Sequence, residues 1–309
     1  MHGSTQKFNM TRGIMIQRFI NSNHMNSFIR DPSAVIGAVL MVLFVFCAVF
    51  APMLAPMDPY DLKNIDLANF LFTPAWMDAG NFHFPLGTDD QGRGILSTIL
   101  YGLRTSLLVG FSAVAVSSTI GIVMGMLAGY YGGILDALVM RIADTVFSFS
   151  TTLLAILLLG LFESRNIWTV VFAICIAGWV KYARTIRGSV LEVKENAYIT
   201  AAKASGAKDF RILFKHILPN AMPPIMVLMA VDLAVVIMLE ATLSFLGVGV
   251  PITEPSLGMM IAIGKNYIYA GMWWMVAFPG VTLILLVVAI NLFSDWFRDE
   301  MNPKLARRN

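Results

Sequence analysis

Four stretches of this chain carry no charged residue over lengths that match a bilayer: residues 32–57, 105–135, 145–162 and 266–294. A helix needs about 20 mostly apolar residues to cross the hydrocarbon core. Two weaker stretches extend the pattern. Residues 166–180 end at Lys181, extendable beyond it, and the preceding Glu163-Ser164-Arg165 suggests a tight hairpin. Residues 221–250 are long and apolar but interrupted by Asp232 and Glu240, and Pro251 follows as a turn signal. The expectation is an all-α integral membrane protein with six transmembrane helices.

Composition agrees, with 57% hydrophobic and only 13% charged residues, against roughly 25% charged in soluble domains. Lipid is therefore an expected partner, and nucleic acid is not. Cys47 and Cys175 each sit inside an apolar run and read as packing residues. His2, His24, His83 and His216 are scattered, with no metal-ligand spacing, so no metal site is expected. The first apolar run exceeds the 7–15 residues of a signal core and follows a basic leader of over thirty residues, so a retained anchor is expected.

Orientation follows from Lys and Arg, which accumulate in short cytoplasmic loops. With the N-terminus inside, seventeen of the 22 basic residues fall on the inner side, and only Lys63, Arg93, Arg104, Arg165 and Lys265 fall outside. Both termini are then cytoplasmic, as is a basic loop over about 181–220. Within the leader, Ile14, Met15, Phe19, Ile20 and Phe28 alternate with Arg12, Arg18 and Arg30. An interfacial helix and a flexible basic tail both remain open for it. The expected division is an N-terminal segment 1–33, a first helix 34–55, an outer segment 56–103, a five-helix core 104–297 and a tail 298–309.

The basic loop contains Tyr198-Ile199-Thr200-Ala201-Ala202-Lys203-Ala204-Ser205-Gly206-Ala207, then His216-Ile217-Leu218-Pro219-Asn220. The alanines favour a helix with a smooth face, and Gly206 ends it through a left-handed residue. Phe210, Leu213 and Phe214 offer apolar anchors. Pro219, Pro223 and Pro224 redirect the chain where it re-enters the membrane. The outer segment carries Leu86-Gly87-Thr88-Asp89-Asp90-Gln91-Gly92-Arg93-Gly94, a composition that suits a tight turn.

These motifs resemble the membrane subunits of ABC importers, and the dipeptide, oligopeptide and nickel permease family in particular (its C-type subunit). The basic loop is similar to the family's cytoplasmic coupling loop. The outer Gly87, Thr88, Asp89, Gly92 and Arg93, followed by Gly102-Leu103-Arg104-Thr105-Ser106-Leu107, resemble its G-T-D-x-x-G-R-D and G-x-R-x-S-L segments. Gly129-Tyr130-Tyr131-Gly132-Gly133 with Asp136, Tyr182-Ala183-Arg184 with Arg187, the run from Glu240 to Gly249 with Pro255-Ser256-Leu257-Gly258, and Asn291-Leu292-Phe293 with Asp295 continue the likeness in the family's order. Gly94 stands where the family usually has Asp, so a salt bridge from that Asp is absent or replaced. Thr200 replaces the family's glutamate, and Ile217 lies one place late.

The resemblance implies a type I ABC importer permease fold in a bacterial inner membrane. It implies half of a translocation pathway, a second related permease, two ATP-binding subunits that carry ATP and Mg, and an extracytoplasmic solute-binding protein. No cofactor is expected on this chain. Thr200, Ala201, Ala202, Ser205, Gly206, Ile217, Leu218 and Pro219 are the expected ATPase-coupling residues, without a glutamate salt bridge. Di- or oligopeptides are the expected substrates, with a nickel or metal-chelate importer of the same family as the alternative and a membrane-embedded enzyme as a remote one.

Ionisable groups inside membrane spans are costly and default to functional candidates. Asp232 and Glu240 are eight residues apart, which suits either a shared aqueous path or contacts at a subunit interface. Asp144 follows Arg141 by three residues, so an intrahelical pair is expected. Gly110, Gly121, Gly125 and Gly129 allow close helix approach. Gly258 to Gly264-Lys265 has five residues between its glycines and no Ser or Thr after the Lys, so it does not make a phosphate loop.

Overall fold

The computed structural model describes residues 23–60, 70–77, 82–163, 166–251 and 253–301. Of the amphipathic leader, Ile14, Met15, Phe19, Ile20, Arg12 and Arg18 lie outside the described residues. Helix α1 (Asn23–Arg30) holds Phe28, whose ring meets Trp296 edge-on at 4.9 Å. Helix α2 (Pro32–Val49) starts where Asp31 accepts the amides of Ser33 and Ala34, with Pro32 in the first turn. A short turn, α3 (Ala51–Leu54), ends this first span.

The longest element is α4 (Ile95–Tyr131), 37 residues that run from the glycine-rich turn at one end of the bundle to the basic end. It packs most extensively on α7 (Ile167–Lys194), whose first turn is capped by the Asn166 side chain. Close approach explains the glycines here. A Cβ on Gly125 would lie 2.2 Å from the Ala183 carbonyl oxygen, and one on Gly121 would lie 2.4 Å from the Tyr182 Cβ. Helix α11 (Pro223–Phe245) covers another side of α4, and α13 (Trp274–Glu300) packs on α2 and α11. Gly37 of α2 meets the Leu292 Cβ and the Phe293 backbone, and the Ser294 hydroxyl donates to the Ala230 carbonyl at 2.8 Å. The short α12 (Leu257–Gly264) folds back between α11 and α13, with Gly258 against the Ala241 backbone and Gly264 against the Met275 carbonyl. That carbonyl lacks the usual helical donor four residues on, because Pro279 has no N–H. The Gly258–Gly264 stretch is thus a packed helix.

Helices α2, α4, α7, α11 and α13 are each long and apolar enough to cross a membrane. In place of the sixth expected span lies a bent helix pair. Helices α5 (Gly133–Phe147) and α6 (Thr151–Gly160) meet at 89°. The Thr145 hydroxyl donates to the Arg141 carbonyl at 2.9 Å and the Ser148 hydroxyl to the Asp144 carbonyl at 2.8 Å, contacts of the kind that bend helices. An uncharged run does not show this, because Ser and Thr are uncharged.

A second difference concerns the loop expected from Lys181. Helix α7 continues to Lys194, and its basic residues reach acidic partners on neighbouring helices. Lys181 pairs with Asp232 of α11, Arg187 makes a two-pronged bond to Asp136 of α5 (2.5 and 2.6 Å), and Arg184 bonds Asp144 at 2.6 Å. The Asp144 pair therefore joins two helices, where an intrahelical bond to Arg141 was expected. The Arg184 guanidinium also lies 4.3 Å from the Phe147 ring centre, which favours that side.

Candidate functional site

Three groups of residues from the sequence reading have distinct places in the fold. The first is the connection between α7 and α11 at the basic end. Helix α8 (Ala197–Ala204) is followed by a turn in which Gly206 has φ +77°. The Gly206 amide bonds the Lys203 carbonyl (2.9 Å) and the Ala207 amide bonds the Ala202 carbonyl (3.1 Å), the pairing of a left-handed helix stop. Thr200, Ala201, Ser205 and Gly206 are exposed, with Ala202 half-buried. Beneath them Ile199 is fully buried with Ile212, Leu213, Ile217 and the Val190 and Val193 side chains of α7. The loop therefore has an apolar core of its own, continuous with α4, α7 and α11.

Helix α9 (Asp209–Ile212) leads into a wide π-helical turn, Leu213–Ile217, and then α10 (Leu218–Ala221). The Leu218 amide reaches back five residues to the Leu213 carbonyl. Widening suits the sequence, since the Pro219 ring would collide with the Lys215 carbonyl in an ordinary α-turn. Ile217 is buried and holds the turn down, while Leu218 is half-buried and Pro219 exposed. Phe210 is 72% exposed, and its ring lies 4.5 Å from that of Phe214, leaving an apolar pair on the outside of the loop.

The second group is the pair of carboxylates in α11, which occupy separate sites. Asp232 is 4% exposed and takes one hydrogen bond from Lys181 and another from the Tyr182 hydroxyl, at 2.5 Å. Glu240 is fully buried and accepts from Ser106 of α4 and from Ser244, each at 2.8 Å. In this chain both are enclosed and satisfied by their own neighbours, and each ties α11 to a second helix. The Lys181 side chain is one-third open and carries the only partly exposed charge of the two sets.

The third group lies at the opposite end. Asp89 accepts the amides of Gln91 and Arg93 (2.9 Å each) on one oxygen and the Arg93 Nε (2.7 Å) on the other. Gly92 has φ +75°, and Thr88 bridges to Gly94 while its hydroxyl accepts the Phe72 amide at 2.7 Å. At Gly87, φ is +84° and a Cβ would lie 2.6 Å from the Phe72 carbonyl oxygen, so only glycine fits. Gly87, Thr88, Asp89, Gly92 and Arg93 thus form one turn that sets the start of α4. Arg93 finds its acid in Asp89. Asp90 beside it is half-buried with one oxygen unpartnered, and burial together with the Asp89 charge pushes its carboxyl above the usual range.

Among the described residues, no three His, Cys, Asp or Glu side chains gather into a metal site. Nothing in the sequence marks Tyr182 and Ser106 as partners of the buried acids, or Tyr130 and Asp209, which join α4 to the loop at 2.6 Å. Tyr130, Tyr182 and Ser106 lie in stretches quoted for their family likeness. A side-chain partner 50 or more residues away leaves no local pattern.

Residues 121–307 match the family described as binding-protein-dependent transport system inner membrane components, and residues 23–74 match the N-terminal transmembrane domain of oligopeptide transport permease C. The chain belongs to this transport family. It is 39% identical to the di/tripeptide transport system permease protein DppC of Pseudomonas aeruginosa, over 90% of each chain. It is 36% identical to the dipeptide permease DppC of Haemophilus influenzae (90% of this chain, 92% of that one) and 36% identical to the oligopeptide permease OppC of Bacillus subtilis (89% and 86%). Among solved structures it is similar in fold to the MetNI methionine ABC transporter in an inward-facing form, at a TM-score of 0.55 and 21% identity, covering 67% of this chain and 98% of that one. An amino acid ABC transporter solved with histidines gives a TM-score of 0.53 at 15% identity, covering 66% and 94%. The fold is thus that of ABC transporter membrane subunits, in a multi-pass membrane protein.

Proposed function

We propose that this chain is one permease of an ATP-driven importer of di- or oligopeptides. It forms half of the translocation pathway beside a second, related permease, and it receives substrate from an extracytoplasmic binding protein. Two separate ATP-binding subunits, holding ATP and Mg, drive it, and no cofactor or catalytic centre belongs to the chain itself. Both termini and the α7–α11 connection face the cytoplasm of a bacterial inner membrane, in keeping with the distribution of Lys and Arg.

The observation that carries this reading is the exposed, small-residue helix α8 with its left-handed stop at Gly206, held on a core shared with α4, α7 and α11. A smooth face fits a groove on another protein, and the shared core moves with whatever presses on that face. Thr200, Ala201, Ala202, Ser205 and Gly206 form the docking surface, while Ile217, Leu218 and Pro219 fix the return to the bundle. Phe210 and Phe214 flank it as an apolar anchor. The peptide assignment is supported by relatives of 36–39% identity whose names specify di-, tri- or oligopeptides, and these favour peptide over nickel. Uptake of a labelled dipeptide, in cells with and without this subunit, tests it against unlabelled tripeptide, hexapeptide and nickel. Loss of uptake on deletion, with competition that depends on peptide length, is expected. Unchanged peptide flux with reduced nickel accumulation would overturn the substrate.

A further inference from the structure

We infer that Tyr130 is the positioning residue through which the α7–α11 connection moves α4; this rests on that connection being the ATPase docking loop. Helix α4 is built as a transmitter. At 1.5 Å per residue its 37 residues measure about 55 Å, and its first turn follows directly on the Asp89–Arg93 turn at the far end. A displacement applied to its basic end therefore reaches the far end without crossing a break.

The basic end of α4 is held by two polar contacts from the loop and one from the last residue of α7. The Tyr130 hydroxyl donates to Asp209 at 2.6 Å, the Lys203 ammonium lies 5.1 Å from the centre of the Tyr130 ring, and Lys194 donates to the Gly129 carbonyl at 2.9 Å. Lys203 is in the last turn of α8 and Asp209 begins α9, so Tyr130 is gripped from both sides of the Gly206 turn. Directly after Tyr131, Gly132 and Gly133 have φ of +67° and +58° with open space around them, so the chain turns sharply there before α5.

Exposed charge contacts of this kind add little to stability. Their effect is geometric, since they fix where the loop sits against the end of α4. Glu or Asp is not required as such at position 209, because a neutral amide oxygen also accepts from a tyrosine hydroxyl.

The test uses the complex purified through this subunit with its ATPases, in lipid, with Cys47→Ala and Cys175→Ala as background. Spin labels at Leu108→Cys on α4 and Ile284→Cys on α13, both exposed, report the distance change on trapping with ATP and vanadate. Tyr130→Phe keeps the ring and removes the hydroxyl, and is expected to cut the population that shifts by about fivefold or more, the lower end of coupling between sites. ATP hydrolysis without substrate and subunit assembly are expected to stay normal. Asp209→Asn is expected to keep the shift and Asp209→Ala to lose it. A wild-type shift in Tyr130→Phe, or no shift in the wild type, would overturn the proposal. Gly206→Asp run in parallel separates the two readings. If it abolishes the shift while Tyr130→Phe does not, the loop docks but Tyr130 does not transmit. If Gly206→Asp shifts normally, the docking reading itself falls.

Discussion

Asp232 has two hydrogen-bonded partners in α7, and its behaviour on mutation follows from that. Removing Lys181 alone leaves a buried carboxylate with only the Tyr182 hydroxyl, whereas removing both charges leaves no buried ion, only the buried Tyr182 hydroxyl without its acceptor. Lys181→Met is therefore expected to destabilise the protein by roughly 3–5 kcal/mol, and Lys181→Met with Asp232→Leu to recover part of the loss, the remainder being the unpaired Tyr182 hydroxyl at about 1–3 kcal/mol. Thermal unfolding in detergent of the two single variants and the double variant measures this; additive losses would contradict it. Asp90 works in the opposite direction. Its carboxyl is raised by burial and by Asp89, so ionisation costs folded-state stability at neutral pH, and the cost disappears as pH falls through that raised range toward the unfolded value. Asp90→Asn is accordingly expected to be more stable than wild type at neutral pH by about 1 kcal/mol, with the gap closing on acidification. A gap that widens in acid would show that the carboxylate is a stabilising ion. Neither consequence could be read from the sequence. Asp232 stood out as a charge inside a span, but its partners are 50 and 51 residues away.

At the scale of elements, the interface between α4 and α7 depends on backbone contact. Gly125→Ala would place a methyl 2.2 Å from the Ala183 carbonyl oxygen, where no side-chain movement makes room, while at Gly129 the nearest atom is 3.1 Å away. The first substitution is expected to cost about 1–3 kcal/mol, the range for overpacking, and the second clearly less; unfolding midpoints of the two variants decide it, and equal losses would contradict the packing. These glycines were legible because their four-residue spacing marks a helix face. The break between α5 and α6 was not, since it arises from hydroxyls bonding back to the backbone within an uncharged run. The extension of α7 was hidden for a related reason. Lys181, Arg184 and Arg187 look like loop residues until Asp232, Asp144 and Asp136 are placed opposite them.

For the whole molecule, apolar run lengths indicated a helical membrane protein, and the order of motifs indicated the permease family. Both came from features that repeat or accumulate along the chain. How one end of the bundle is joined to the other was not visible, because it depends on which helix is long enough and what grips its end. The fold places a self-cored loop at the basic end, a glycine-rich turn at the far end and the continuous α4 between them. The central claim is that the loop's exposed face drives this frame from outside the chain. Gly206→Asp tests it most directly, because a side chain at 206 meets no atom of this protein within 4 Å, and Asp is among the residues that tolerate a left-handed backbone. The measurement is uptake of labelled dipeptide, with ATP hydrolysis stimulated by the binding protein, in the assembled complex. Loss of both, with the subunit still folded, is the predicted result. Normal uptake with wild-type stimulation would contradict the account.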